Sequence, residues 1–202
     1  MIVIVDYDTG NTRSLSKAFE KIGLETVISA DPALILQAKG IVLPGVGAFP
    51  KAMTSLEERG LIEPLLAAVA QGTPLLGICL GMQLLFDTSF EHGETKGLGL
   101  IPGQVLPFPK ENQLRIPHMG WNQLQVNHTQ PLTEAVVDQY VYYVHSYYVD
   151  CAPEFILATS DYGVAVPAIV RRNHVYGMQF HPEKSGEVGQ ALLKAFKKVV
   201  EA

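Results

Sequence analysis

Leu75-Leu76-Gly77-Ile78-Cys79-Leu80-Gly81-Met82-Gln83 is an apolar strand running into a G-x-C-x-G turn, with a helix expected over Met82-Gln83-Leu84-Leu85-Phe86. A side chain at such a strand-to-helix elbow projects from a sharp, strained turn, and small residues two positions to either side prevent clashes there. Gly77 and Gly81 occupy those places around Cys79. The elbow sets the sulfur beside free N–H groups of the next helix, an arrangement that favours the thiolate. A thiolate is a strong nucleophile near neutral pH. A small buried cysteine packed between two glycines would carry the same letters. The strand before it and the helix after it favour the nucleophile.

Outward from the elbow, the first half alternates strand and helix. Short apolar strands are expected at Ile2 to Asp6, Glu25 to Ser29, Gly40 to Leu43 and Pro74 to Ile78. Helical periodicity falls between them at Thr12 to Ile22, Phe49 to Glu58 and Leu61 to Gln71. This pattern indicates a parallel sheet with helices on both faces. Sites in such sheets lie at the carboxyl ends of the strands, and Asp6, Gly45 and Cys79 all fall at strand ends, so three loops are expected to converge on one crevice. The second half reads as strands at Val105 to Phe108, Gln113 to Ile116, Asn122 to Val126, Gln139 to Val144, Tyr148 to Cys151, Glu154 to Ser160, Val164 to Val170 and Val175 to Gln179. A helix from Gly186 to Glu201 closes the chain. The expected fold is α/β, a flavodoxin-like open and mostly parallel sheet flanked by helices, with an antiparallel extension in the second half. One domain over residues 1–202 accounts for the chain.

Of the 202 residues 48% are hydrophobic, enough for a sizeable core. A formal net charge of −5 with only 15 Lys plus Arg argues against nucleic acid or an anionic membrane as partner and toward a small substrate. Cys79 and Cys151 are the only cysteines, too few for a disulfide scaffold, and both read as free thiols in a reducing compartment. No apolar run has the length of a bilayer span, and the chain is expected to be soluble and cytoplasmic. Gly97-Leu98-Gly99 lacks dinucleotide-site spacing, and no Cys/His cluster has ligand spacing, so neither cofactor nor metal is expected.

A cysteine nucleophile needs a base. Of six histidines, His181 ends an apolar strand as Gln179-Phe180-His181-Pro182-Glu183. Pro182 restricts His181 to extended backbone. If the chain continues in that direction, Glu183 lies on the same side as the imidazole, where its carboxylate fixes the tautomer. The negative charge that develops on a substrate carbonyl needs donors. The Leu80 N–H is one, and the Pro44-Gly45-Val46-Gly47 loop, through Gly45 and Val46, is the candidate for a second. Its glycines make a peptide flip inexpensive, so the oxyanion hole is one that something else could order.

The elbow with its His181-Pro182-Glu183 ending resembles the class I, triad-type glutamine amidotransferases over nearly the whole chain. Pro44 to Phe49, Pro117-His118-Met119-Gly120-Trp121-Asn122, His145-Ser146-Tyr147, Gln179 to Ser185, Asp6-Tyr7 and Gly10-Asn11 resemble a narrower group within it, the glutaminase subunits of histidine biosynthesis. The resemblance implies hydrolysis of glutamine to glutamate and ammonia. Cys79 would attack the amide, His181 would protonate departing ammonia, and water would release the glutamyl thioester. Gly47 and Gln83 match positions that hold glutamine, and backbone around Ser146 and Tyr147 receives its amino-acid end. Ammonia would pass to a separate (β/α)8-barrel cyclase subunit, with Asn11, Trp121, Tyr142 and Lys184 at positions expected near it. The Pro-Gly-Val-Gly loop departs from the Gly-Gly and Gly-Pro-Gly forms of related enzymes, which fits an oxyanion hole completed only when the partner is occupied. Competing readings are a subunit serving anthranilate or pyridoxal phosphate synthesis, a cysteine peptidase or thioesterase, and a redox sensor.

Overall fold

The structure is a computed structural model and describes residues 1–110 and 114–202. The first half runs β1 (Ile2–Val5), α1 (Thr12–Lys21), β2 (Thr26–Ser29), α2 (Pro32–Leu36), β3 (Gly40–Leu43), α3 (Phe49–Glu58), α4 (Ile62–Ala70), β4 (Leu75–Ile78) and α5 (Leu80–Gln83). It continues through β5 (Phe86–Ser89), β6 (Thr95–Lys96), β7 (Ile101–Pro107), β8 (His118–Gln123), β9 (Gln125–Val126), β10 (Tyr140–His145) and β11 (Tyr147–Asp150). It closes with β12 (Ile156–Asp161), β13 (Ala165–Arg172), β14 (Val175–Met178) and α6 (Gly186–Glu201).

An eight-stranded sheet has the order β2-β1-β3-β4-β14-β13-β12-β9. It is parallel from β2 to β14 and antiparallel beyond. The apolar strands β1, β3 and β4 are buried on both faces, as a helix-covered parallel sheet requires. Their side chains alternate: Val3, Ile41 and Leu75 pack toward Phe49, Leu56 and Leu65, while Ile2, Val42 and Leu76 pack toward Phe19, Leu192 and Phe196. A four-stranded sheet, β11-β7-β5-β6, and the β10-β8 ribbon complete the second half.

The elbow strand β4 lies between β3 and β14. That order places the Pro44 loop on one side of Cys79 and the Phe180–Glu183 segment on the other, although 35 and about 100 residues separate them along the chain.

Three expectations need correction. The helix over Met82 to Phe86 is instead the single turn α5, and Phe86 opens β5, pairing with Ile101 in the second sheet. An apolar run buried all round suits helix and strand equally, so periodicity could not separate them. Of the strand expected at Gln113 to Ile116, Gln113 lies outside the described residues and 114–116 are irregular, not strand. The run Asn122 to Val126 is two strands broken at Leu124, whose N–H donates to the Gln139 carbonyl (2.8 Å). The short α2 was also not foreseen; the Asp31 carboxylate caps it by accepting the Ala33 N–H (2.8 Å).

Candidate active site

Cys79 has φ 55° and ψ −113°, a backbone that side-chain-bearing residues rarely adopt. Its N–H donates to the Met178 carbonyl of β14 (2.8 Å), and its carbonyl accepts from Met82 (3.1 Å) and Gln83 (3.3 Å). The glycines make this possible by close approach. A Cβ at Gly77 would lie 2.5 Å from the Gly81 carbonyl oxygen, and one at Gly81 would lie 1.9 Å from that of Leu43. Because α5 is one turn long, no long helix stands behind the sulfur.

His181 follows β14, and its N–H donates to the Tyr142 carbonyl (2.9 Å). Its Nδ1 lies 2.9 Å from Glu183 Oε1, with both side chains almost wholly buried. The chain reaches this contact through a 3-10 turn over Pro182–Lys184, not through the extended continuation expected from Pro182. Because the carboxylate accepts, Nδ1 carries hydrogen and Nε2 faces the other way. Among the described residues, neither Nε2 nor Glu183 Oε2 has a hydrogen-bond partner. Burial on its own would lower the imidazole's pKa. Cys79 and Glu183 beside it outweigh that and hold it up at about 9, so it keeps its proton at neutral pH. The Cys79 thiol lies 3.8 Å from the Val144 carbonyl, and its sulfur is a neighbour of the His181 imidazole.

A cavity of about 410 Å³ opens over the sulfur. It is lined by Val46 and Gly47 from the loop after β3, by Cys79, Leu80 and Gln83 from the elbow, and by Ser146 and Tyr147 after β10. Gly45 does not line it. A Cβ there would meet Gly81 N and the Tyr7 hydroxyl at 2.8 Å, so Gly45 is small in order to pack against the elbow. The Tyr7 hydroxyl donates to the Pro44 carbonyl (2.5 Å) and pins that end of the loop. Gly47, at φ 99°, has no atom within 4 Å of where its Cβ would be, and Val46 is 44% exposed. The left-handed turn at Gly47 is therefore the loop's free element.

The Gln83 amide donates to the Tyr147 carbonyl (2.9 Å) and to Gln179 Oε1 (3.1 Å), tying the elbow to the opposite wall. Asn11, assigned by resemblance to the partner face, places Nδ2 3.4 Å from Glu183 Oε1 and leaves α1 without a side-chain cap. Trp121 is 58% exposed and meets Tyr142 edge to face, 6.0 Å between ring centroids. Tyr142 in turn donates its N–H to the Ser185 hydroxyl oxygen (3.0 Å), so this pair is bonded directly to the segment carrying His181. Lys184 is exposed and lines the cavity.

Sequence reasoning missed Glu91. It is 8% exposed, lines the cavity, and accepts the Phe49 N–H at the start of α3 (2.8 Å). A lone acid beside Phe90 and His92 carries no pattern, and its partner lies 42 positions away.

The sequence matches the family "Glutamine amidotransferase class-I" over residues 3–199. It is 55% identical over 200 residues to the imidazole glycerol phosphate synthase subunit HisH of Listeria monocytogenes serotype 4b, covering 99% of this chain and 96% of that one. It is 56% identical over 201 residues to the subunit of the same name from Lacticaseibacillus casei, covering 100% and 97%. In structure it is similar to a crystallised glutamine amidotransferase, with a TM-score of 0.78, 20% identity and full coverage of both chains.

Proposed function

The chain belongs to the class I glutamine amidotransferases, and on that premise we propose that it serves as the glutamine-hydrolysing subunit of an imidazole glycerol phosphate synthase in histidine biosynthesis. The observation that carries the chemistry is a strained Cys79 and a His181 lining one cavity, with the imidazole held protonated by Cys79 and by the Glu183 carboxylate behind it. Paired with a retained imidazolium, the sulfur attacks the side-chain amide carbon of glutamine as a thiolate. His181 Nε2, the ring nitrogen without a protein partner, gives its proton to the departing ammonia. The same nitrogen then takes a proton from the water that hydrolyses the glutamyl thioester.

Charge on the tetrahedral oxygen is met by the Leu80 N–H and by the Val46–Gly47 peptide once the free turn at Gly47 brings it round. Gly45 contributes by seating the loop against the elbow. Glu91 supplies a carboxylate for the substrate ammonium, while Gly47, Gln83, Ser146 and Tyr147 bound the rest of the molecule. The exposed face of Trp121, Tyr142, Lys184 and neighbouring Asn11 meets a (β/α)8-barrel cyclase, which consumes the ammonia in forming imidazole glycerol phosphate and aminoimidazole carboxamide ribotide. This contact orders the loop, so that ammonia is released only to an occupied acceptor. The role fits the cytoplasm; among the described residues no helix is long and apolar enough to cross a membrane.

Glutamine turnover, measured with and without the liganded cyclase, tests this reading. Weak turnover alone and a large rise on mixing are expected; full activity of the isolated chain would sink the ordered-loop account. Cys79→Ala should abolish glutamine use and leave ammonia-dependent synthesis by the complex intact. Loss of both would count against the division of labour.

A further inference from the structure

His118 and His145 are register partners on β8 and β10, both buried, with His118 Nδ1 and His145 Nε2 2.8 Å apart. Nothing in the mechanism uses them. The direction of every hydrogen bond around them follows from Asn122. Its Oδ1 accepts the Gln123 N–H (2.8 Å), so its Nδ2 is the atom that donates to the Asp161 carbonyl (2.9 Å) and to His118 Nε2 (3.2 Å). His118 Nε2 is therefore an acceptor and its Nδ1 carries the hydrogen. That hydrogen goes to His145 Nε2, which leaves His145 Nδ1–H to donate to the Tyr147 carbonyl (2.8 Å).

The same carbonyl accepts the Gln83 amide, so both of its lone pairs are engaged. The chain of bonds cannot reverse without leaving a buried donor facing a donor. It also does not charge in the working range, because burial pushes His118 down to about 4 and His145 to about 3. The His118 ring is clamped between Tyr143 and Tyr162, with centroids at 4.5 and 3.9 Å and nearly parallel planes. His145, Ser146 and Tyr147 all line the cavity over Cys79.

We propose that His145, aimed by His118 and Asn122, is a positioning residue for the substrate: it locks the Tyr147 carbonyl and so holds the Ser146–Tyr147 backbone against which the amino-acid end of glutamine lies. The proposal rests on the glutaminase reading above. The pair exchanges no proton in the reaction and acts on binding, not on bond breaking. His118 acts only through His145.

Imidazole ¹⁵N spectroscopy on the labelled chain near pH 7.5 reads the tautomers directly. Both rings are expected as neutral Nδ1–H forms, and an Nε2–H form of His145 would overturn the proposal. In the complex with the cyclase subunit, His145→Phe and His118→Phe, the latter keeping the ring stack, should each raise KM for glutamine about tenfold with kcat changed less than about threefold. His118→Phe should add nothing in the His145→Phe background, whereas a merely structural His118 would give multiplying effects. An unmoved KM, or a loss confined to kcat, overturns the positioning role. Absence of glutamine turnover by the native complex would strike the proposed function itself, while the tautomer measurement still decides whether the locked pair exists.

Discussion

The two backbone segments that face each other across Cys79 are held in opposite ways. At the elbow, Gly77 and Gly81 are packed so tightly that any added Cβ would overlap backbone. Across from it, the loop is fastened at Pro44 by Tyr7, and three residues later a Cβ at Gly47 would meet no atom within 4 Å. The nucleophile is thus overdetermined by sterics, while the segment offered to the developing charge is held at Pro44 and at Phe49 and has its freedom at the Gly47 turn between them. A site built this way can keep its reactive atom permanently placed and still leave one catalytic element to be ordered from outside.

The sharpest way to break this comparison is to add one methyl group to each side. Gly81→Ala puts a Cβ 1.9 Å from the Leu43 carbonyl oxygen and should cost more than about 3 kcal/mol, or prevent folding. Gly47→Ala meets no atom and should cost only about 1 kcal/mol, from its left-handed backbone. Similar denaturation midpoints for the two variants would refute the difference. A smaller effect comes from pH. The imidazole of His181 has its pKa raised on folding, so its contribution to stability is complete below about 6.5 and is lost as pH rises through about 9. The loop side, Gly45, Val46 and Gly47, carries no titrating group. Alkali should therefore lower the denaturation midpoint less in Glu183→Gln than in the native chain; parallel curves would contradict the His181–Glu183 assignment. The smallest effect isolates the elbow's strain. Cys79→Gly should be more stable than Cys79→Ala by about 1 kcal/mol, because both lack the thiol and only glycine accepts φ 55° freely. Equal midpoints would mean that the elbow stores no such strain.

Much of this was legible because the informative signals are local. The strand at Gly40 to Leu43 and the helices at Phe49 to Glu58 and Gly186 to Glu201 fall where apolar period and turn residues place them. The spacing of Gly77, Cys79 and Gly81 announces a crowded elbow before any neighbour is known. The pairing of His181 with Glu183 was also readable, though for the wrong backbone: two residues in a 3-10 turn bring the side chains together as the extended path was expected to. What failed depends on distant partners. Phe86 is strand and not helix because Ile101 pairs with it. Glu91 belongs to the pocket because the α3 terminus reaches it. His118 and His145 gain their meaning from each other across a ribbon and from an Asn122 whose amide also donates to the distant Asp161 carbonyl.

The sequence by itself determined the chemistry available to this protein: a cysteine at a glycine-flanked elbow, a histidine with a carboxylate two residues on, a glycine loop and no excess of positive charge. These are short-range facts, fixed by backbone sterics and by covalent spacing. Only the tertiary structure decided which groups share a cavity, because β4 lies between β3 and β14 and residues remote in the chain become neighbours there. It also decided protonation. Burial alone would discharge all three histidines near the site, and it does so for His118 and His145; only the company of Cys79 and Glu183 keeps His181 charged.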